Sequence, residues 1–190
     1  MKDFKIRLYN KIPEELEEIV NNLKKQAYQK NMGALTETQK NEREDKFCSQ
    51  KDRFKYLLMF QNREIIGGLT LLKRKIVYND EKIILGGVGG VWTRVDKRKM
   101  GVASLLLRKG IEFLLQNKCD IAFLCTNIKK LGKLYERFGF TPLNREYTFI
   151  GRSGKRYYEA DGMIANVSSD KIFKKVLKGK IPLDIGRGVW

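Results

Sequence analysis

A chain of 190 residues with 42% hydrophobic and 32% charged residues is ordinary globular material. It is long enough to bury a substantial core, and it is neither disordered nor membrane-spanning. Histidine is absent, which excludes Ser-His-Asp and Cys-His catalysis and any His-based metal site, so no metal is expected. The formal charge of +17 has two readings: a lysine-rich solvated surface, or attraction to an anionic partner such as nucleic acid, a membrane surface or a charged cofactor. Lysine heavily outnumbers arginine and no RNA-binding signature or zinc finger is present, so a nucleic-acid partner is not expected.

In chain order, Phe4 to Tyr9 alternates apolar and polar residues as a half-buried strand does. Pro13 followed by Glu14, Glu15, Glu17 and Glu18 marks a helix start, with the acids at the positive end of the dipole, and the helix is predicted to reach about Lys30. Residues 31–53 are polar and irregular, with room for a second short helix. Phe54 to Gln61 and Glu64 to Tyr78 read as strands joined at Asn62-Arg63, and Asn79-Asp80 turns the chain into a third strand, Lys82 to Thr93. That strand holds Gly86, Gly87, Gly89 and Gly90. Glycines inside a strand mark a bulge or a place where another backbone or a ligand comes close.

A helix over 100–117 follows, with Val102, Leu105, Leu106, Gly110, Phe113 and Leu114 on one face. Ile121 to Cys125 is short and fully apolar, as a buried parallel strand is. The next helix carries Ile128, Leu131, Tyr135 and Phe138 on one side and stops at Gly139. Strands near 144–150 and 156–165, an amphipathic helix over 169–178 and a glycine-rich tail ending in Trp190 complete the chain. Hairpins followed by strand–helix–strand–helix define a mixed α/β (α+β) fold, and one domain over 1–190 is expected. Cys48, Cys119 and Cys125 lack zinc-like spacing; Cys119 and Cys125 read as buried thiols, and Cys125 has no histidine to make it a nucleophile. No apolar run approaches a bilayer span, and Met1-Lys2-Asp3-Phe4 lacks the apolar stretch of a secretion signal, so a cytoplasmic protein is the expectation.

Between the glycine-bearing strand and the helix over 100–117 lies Arg98-Lys99-Met100-Gly101-Val102-Ala103. A helix start offers unpaired N–H groups and the positive end of its dipole, and two cations beside it suit an anion, phosphate most of all. The pattern Arg98-x-x-Gly101-x-Ala103 after a strand, followed one strand later by Leu134-Tyr135 and Gly139-Phe140, resembles the GNAT superfamily of acetyl-CoA-dependent N-acetyltransferases. The resemblance implies a central, largely antiparallel sheet of six or seven strands, with strands near 82–93 and 119–126 splayed apart to admit acetyl-CoA. The N–H groups of residues 99–104, from Lys99 through Met100, Gly101, Val102 and Ala103 to Ser104, would then cradle the pyrophosphate. Arg98 and Lys99 would add charge, and Val91-Trp92-Thr93 would pair with the pantetheine amides as an added strand does.

Tyrosine, with a reference pKa near 10 against about 8.5 for a thiol, can protonate a departing thiolate, and the resemblance gives that role to Tyr135. The general base is not named by any residue pattern. A narrower likeness covers residues 64–190: Gly90-Val91, Asp96, Arg98, Ser104, Leu134-Tyr135 and Gly188-Val189-Trp190 resemble the aminoglycoside 2′-N-acetyltransferases. In that group a terminal tryptophan carboxylate lies by the substrate. This likeness implies an acceptor pocket lined by Gly90, Thr126 and Trp190, with the tail 179–190 docked beside it. Two departures stand against the drug as substrate. Gly89 occupies the place of that group's glutamate, and Arg187 that of an acid near its tryptophan, whereas a polycation needs carboxylates around it. The expectation is acetyl transfer to a primary amine of a small molecule, with an aminoglycoside-like one left open, by direct transfer in a ternary complex. A peptide or protein N-acetyltransferase and a non-catalytic basic binding module are the alternatives, and a homodimer stays open.

Overall fold

The computed structural model describes residues 4–29, 36–47 and 53–190. Cys48, Lys30 at the end of the first predicted helix, and residues 31–35 and 49–52 of the polar stretch lie outside the described residues. The chain runs β1 (Phe4–Tyr9), α1 (Glu14–Gln29), α2 (Glu37–Lys46), β2 (Arg53–Gln61), β3 (Glu64–Tyr78), β4 (Glu81–Thr93) and α3 (Val102–Gln116). It continues through β5 (Ile121–Cys125), α4 (Ile128–Glu136), β6 (Phe140–Pro142), β7 (Tyr147–Ile150), β8 (Arg156–Glu159), β9 (Gly162–Asn166), α5 (Asp170–Lys178) and β10 (Leu183–Arg187). No helix among the described residues is long and apolar enough to cross a membrane.

Seven strands form the main sheet in the order β1-β2-β3-β4-β5-β9-β6, and β10-β7-β8 form a separate small one. The β2–β3 and β3–β4 turns both use paired left-handed residues, Asn62 and Arg63 at φ 48° and 68° and Asn79 and Asp80 at φ 50° and 63°. That is the type I′ geometry whose twist matches the flanking strands. Of the neighbours in the main sheet only β4 and β5 run parallel, and they pair over Leu85↔Ile121, Gly86↔Ala122 and Gly87↔Phe123 alone. Beyond Gly87 the two strands part. β4 stays on β3, while Leu124 and Cys125 pair with β9.

The glycines of β4 divide the work of close approach. Gly86 faces α3, where a Cβ would lie 2.9 Å from Leu114. Between the pairs Gly68↔Trp92 and Thr70↔Gly89, β4 carries one extra residue, and Gly90 takes φ 56° there. This is a bulge at a position glycine tolerates best. It re-aims the strand where the sheet opens.

Two apolar layers grip the sheet. On one face Leu106, Leu107 and Leu114 of α3 pack against Leu69, Leu71, Val88 and Leu124. On the other, Ile83, Leu85, Phe123 and Ile164 meet Tyr147, Phe149, Ile172, Val176, Leu183 and Ile185 of the small sheet and α5. Each fully buried side chain of this size contributes about 1.5 to 3 kcal/mol. The basic face of α5 is partly neutralised in place: Lys171 and Lys175 reach Glu81 at 3.5 and 2.7 Å, and Lys174 reaches Asp170 at 2.6 Å.

Several elements differ from the sequence reading. The predicted strand over 156–165 is two strands, β8 in the small sheet and β9 in the main one, broken at Ala160-Asp161. The tail contains β10, which runs parallel to β7. On α4 the buried positions are Gly132 and Tyr135, whereas Leu131 is 44% exposed. The ring of Tyr135 packs on Phe140, with centroids 6.1 Å apart at 77°.

Candidate active site

Where β4 and β5 part, a cleft of about 620 Å³ opens. Its walls are the end of β4, the 3-10 turn at 95–97, the loop into α3, the inner side of α4 and the end of α1. Val91, Trp92, Thr93, Arg98, Lys99, Gly101, Val102, Ala103, Ser104 and Tyr135 all line it. Met100 does not; it packs against the main core. Val102 and Trp92 are buried residues of that lining, at 1% and 5% exposure.

The loop into α3 bends by two left-handed residues, Lys99 at φ 62° and Gly101 at φ 83°, and nothing lies within 4 Å of a Cβ placed on Gly101. The first helical bond runs from Leu105 N–H to Gly101 O at 3.0 Å. The N–H groups of the preceding turn therefore have no intrahelical partner and stand at the positive end of the helix dipole. Lys97, Arg98, Lys99 and Arg137 are the charged residues of the lining, and no carboxylate is among them. A cleft with only cations and free N–H groups suits a phosphate-bearing ligand.

Arg98 has a second duty: its Nη2 donates to Ala27 O at 2.7 Å and ties the end of α1 to the loop. Beside it Tyr28 donates its hydroxyl to Val91 O at 3.1 Å. Burial first, then Tyr135, push the Tyr28 phenol up to about 12. The sequence reading missed Tyr28. Val20, Leu23, Ala27 and Tyr28 share one helical face, so periodicity alone marks Tyr28 as core.

Tyr135 is 7% exposed. Burial and the neighbouring Cys125 raise its phenol above the ordinary range, against a hydrogen bond with Thr126 that lowers it. The phenol therefore keeps its proton at neutral pH. Cys125 is itself pushed up to about 12, by burial first and then by Asp161. A thiol so disfavoured as thiolate is a poor nucleophile.

A second, smaller cavity of about 80 Å³ lies across the bulge, lined by Gly89, Gly90, Thr70, Leu72 and Phe47, with Lys24, Arg53 and Trp190. Trp190 lies flat on the glycines of β4: a Cβ on Gly87 would sit 2.7 Å from its Cε2, and one on Gly89 3.0 Å from its Cδ1. Its indole N–H donates to Phe123 O at 3.3 Å, and Cys125 Sγ donates to Trp190 O at 3.0 Å. Arg74 stacks over the indole at 4.7 Å and donates to the carbonyls of Ile185 and Gly188 at 2.6 and 2.9 Å, and also to Arg187 O. Of the three residues expected at the acceptor, Gly90 and Trp190 line this cavity together. Thr126 lines neither cavity and stands by Tyr135.

Parted strands with a cationic helix start between them, beside a buried phenol, are an arrangement suited to a phosphate-bearing ligand. The family model described as acetyltransferase (GNAT) domain matches residues 8–143, well over half of the chain, and the chain belongs to the GNAT acetyltransferase family. No curated protein matches the sequence. Among solved structures, Escherichia coli ElaA is 16% identical with a TM-score of 0.56, over 87% of this chain and 100% of that one. A GNAT family acetyltransferase from Brucella melitensis, solved in complex with acetyl-CoA, is 18% identical with a TM-score of 0.52, over 72% of this chain and 83% of that one. Eis1 from Mycobacterium abscessus is 15% identical with a TM-score of 0.54, over 76% of this chain and 33% of that one. The chain thus spans about a third of the length of Eis1 and of three further matched structures. At these identities the likeness is one of fold.

Proposed function

We propose that residues 1–190 act as one N-acetyltransferase unit that moves the acetyl group of acetyl-CoA to a primary amine of a small molecule, by direct transfer in a ternary complex. The observation that carries this reading is the cleft at the parting of β4 and β5, with four cations, no carboxylate and an open Gly101 at a helix start. Acetyl-CoA, when bound, supplies an acetyl thioester open to attack by an amine. The N–H groups of 99–104 hold its pyrophosphate, with Arg98 and Lys99 adding charge. Val91 to Thr93 offer main-chain groups to the pantetheine arm, and an N–H near Val91 or Trp92 steadies the oxyanion.

Tyr135 gives its phenolic proton to the departing thiolate as the carbon–sulfur bond breaks and the carbon–nitrogen bond forms, and the proton shed by the amine nitrogen passes through water to restore the phenol. Its raised pKa keeps that proton available. With no histidine in the chain and Cys125 held as a thiol, nothing in the site favours an acyl-enzyme. The test is calorimetry with acetyl-CoA, followed by thiol release in the presence of small amines and peptides. Saturable binding with turnover of a small amine is expected. No binding overturns the reading, and turnover confined to peptides shifts it to a peptide acetyltransferase.

A further inference from the structure

An amine of the chain itself already stands beside the residues that would hold the thioester. Lys24, Ala27 and Tyr28 share one face of α1 at helical spacing, and that face follows β4. Tyr28 donates to Val91 O at 3.1 Å. One turn earlier Lys24 reaches Gly90, where a Cβ would lie 3.2 Å from its Nζ. The bulge leaves this room, because Gly90 has no side chain to fill it. Val91 follows Gly90 by a single Cα step of about 3.8 Å, and Val91, Trp92 and Tyr135 line the large cleft. Lys25, the next residue of α1, is exposed.

The surroundings of Lys24 differ from those of a surface lysine. Arg53 of β2 and Trp190 line the same small cavity, and Trp190 brings its terminal carboxylate, whose carbon would lie 3.3 Å from a Cβ on Gly89. Burial first, then the charge of Arg53, hold the Lys24 ammonium below the usual lysine range. A larger share of this side chain is therefore neutral amine than of an exposed lysine, and the neutral form is the one that attacks a thioester. The flexible stem of a lysine lets its nitrogen turn from one side of the bulge to the other.

We propose that Lys24 is an internal acetyl acceptor: with acetyl-CoA bound and no amine substrate present, the protein acetylates the Nζ of its own Lys24. The proposal rests on the acetyl-transfer reading and adds a modification site to it. The ammonium first gives one proton to water. Its nitrogen then attacks the thioester carbonyl carbon, the carbon–nitrogen bond forms and the carbon–sulfur bond breaks. Coenzyme A leaves as the thiol with the proton of Tyr135, and the proton shed by the attacking nitrogen returns through water to the phenol. The product is an amide, which does not hand its acetyl group to a second amine, so it is a modification and not an intermediate. It removes one positive charge from α1 and sets a neutral acetyl group beside Gly90. A molecule left with acetyl-CoA and no acceptor thereby marks itself.

The test incubates the purified protein with acetyl-CoA and no added amine, and maps acetylation over time by peptide mass spectrometry. Lys24 is expected to gain one acetyl group at least about tenfold faster than its exposed neighbour Lys25, the advantage of a positioned amine. The rate per molecule should not change when the protein is diluted, as a reaction within one chain requires. Excess desulfo-coenzyme A, which fills the cleft without an acetyl group, should suppress the label at Lys24 and leave that at Lys25. Lys24→Arg should abolish the fast phase and retain acetyl-CoA binding. Equal labelling of the two lysines, a Lys24 label indifferent to desulfo-coenzyme A, or a rate that climbs with protein concentration would each overturn the proposal. Calorimetry with acetyl-CoA separates the two failures. Binding without preferential labelling of Lys24 sinks this proposal alone, and absence of binding sinks the reading beneath it.

Discussion

On one side of Gly90 the large cleft is built on a contiguous run of chain, the edge of β4, a loop with two left-handed residues and the first turn of α3, closed by side chains of α1 and α4. On the other side the small cavity is walled by side chains from residues 24, 53, 70 and 190, which meet only through the fold. The first kind of site needs a contiguous run of chain, because an anion cradle is made by successive N–H groups and by glycine at a fixed offset. The second needs only that a few reaching side chains point inward, and their spacing along the chain is arbitrary. The anion cradle of the cleft is therefore a local property of residues 91–104, to which α1 and α4 add their side chains, and the cavity is a property of the whole molecule.

The largest expected effect lies on the main-chain side. Gly101→Glu puts a carboxylate at the helix start and forces a side chain onto φ 83°. Acetyl-CoA affinity by calorimetry should fall by about a hundredfold or more, through like-charge repulsion at the phosphates. Stability should fall by only about 1 to 2 kcal/mol, the cost of a left-handed residue. Wild-type affinity in this variant would show that the cradle is not where the phosphates sit.

Tyr135→Phe probes the junction of the two regions. It keeps the ring on Phe140 and removes the proton donor, so kcat should drop by about a hundredfold with acetyl-CoA affinity unchanged. The pH–rate profile adds a sign. A phenol raised above its ordinary value loses its proton later, so the wild-type rate should show no fall owed to this group before about pH 10. A descending limb near pH 8 that vanishes in the variant would contradict the assignment of the raised pKa. Full turnover by the variant would return Tyr135 to a plain core residue.

The smallest effect is expected on the side-chain wall. Gly87→Val drives a branched side chain into Trp190, at 2.7 Å from its ring, and into Leu72 at 3.0 Å. Urea unfolding should report a loss of about 1 to 3 kcal/mol from overpacking. KM for the acceptor should rise while acetyl-CoA affinity stays put. If acetyl-CoA affinity fell as well, the two regions would be one mechanical unit.

The same contrast explains what could be read from the sequence. The β3–β4 hairpin, α3 and the Arg98-x-x-Gly101-x-Ala103 loop announce themselves by alternation, helical period and a motif at a strand–helix junction. Four glycines in β4 mark a close approach, and their partners proved to be Leu114 for Gly86, Trp190 for Gly87 and Gly89, and Lys24 for the bulged Gly90. Nothing local in the sequence tells which partner each would have. The break at Ala160-Asp161 was invisible because the apolar pattern of Tyr157, Met163 and Ile164 serves either sheet equally well. β10 was hidden by its length and by Gly186, at φ 88°. Tyr28 and Lys24 stood on a helix whose period reports burial but not which long side chain turns toward a cavity.

Trp190 carries a consequence for the order of assembly. Every residue lining the large cleft lies between Ala27 and Arg137, so those groups have all been synthesised while the last third of the chain is still being made. The small cavity waits for residue 190, and for Arg74 to fasten the strand that leads to it. A domain generally folds as a unit. A nascent chain past residue 137 therefore carries every residue that lines the large cleft before Trp190 has joined the small cavity. The two cavities differ in when their linings become complete.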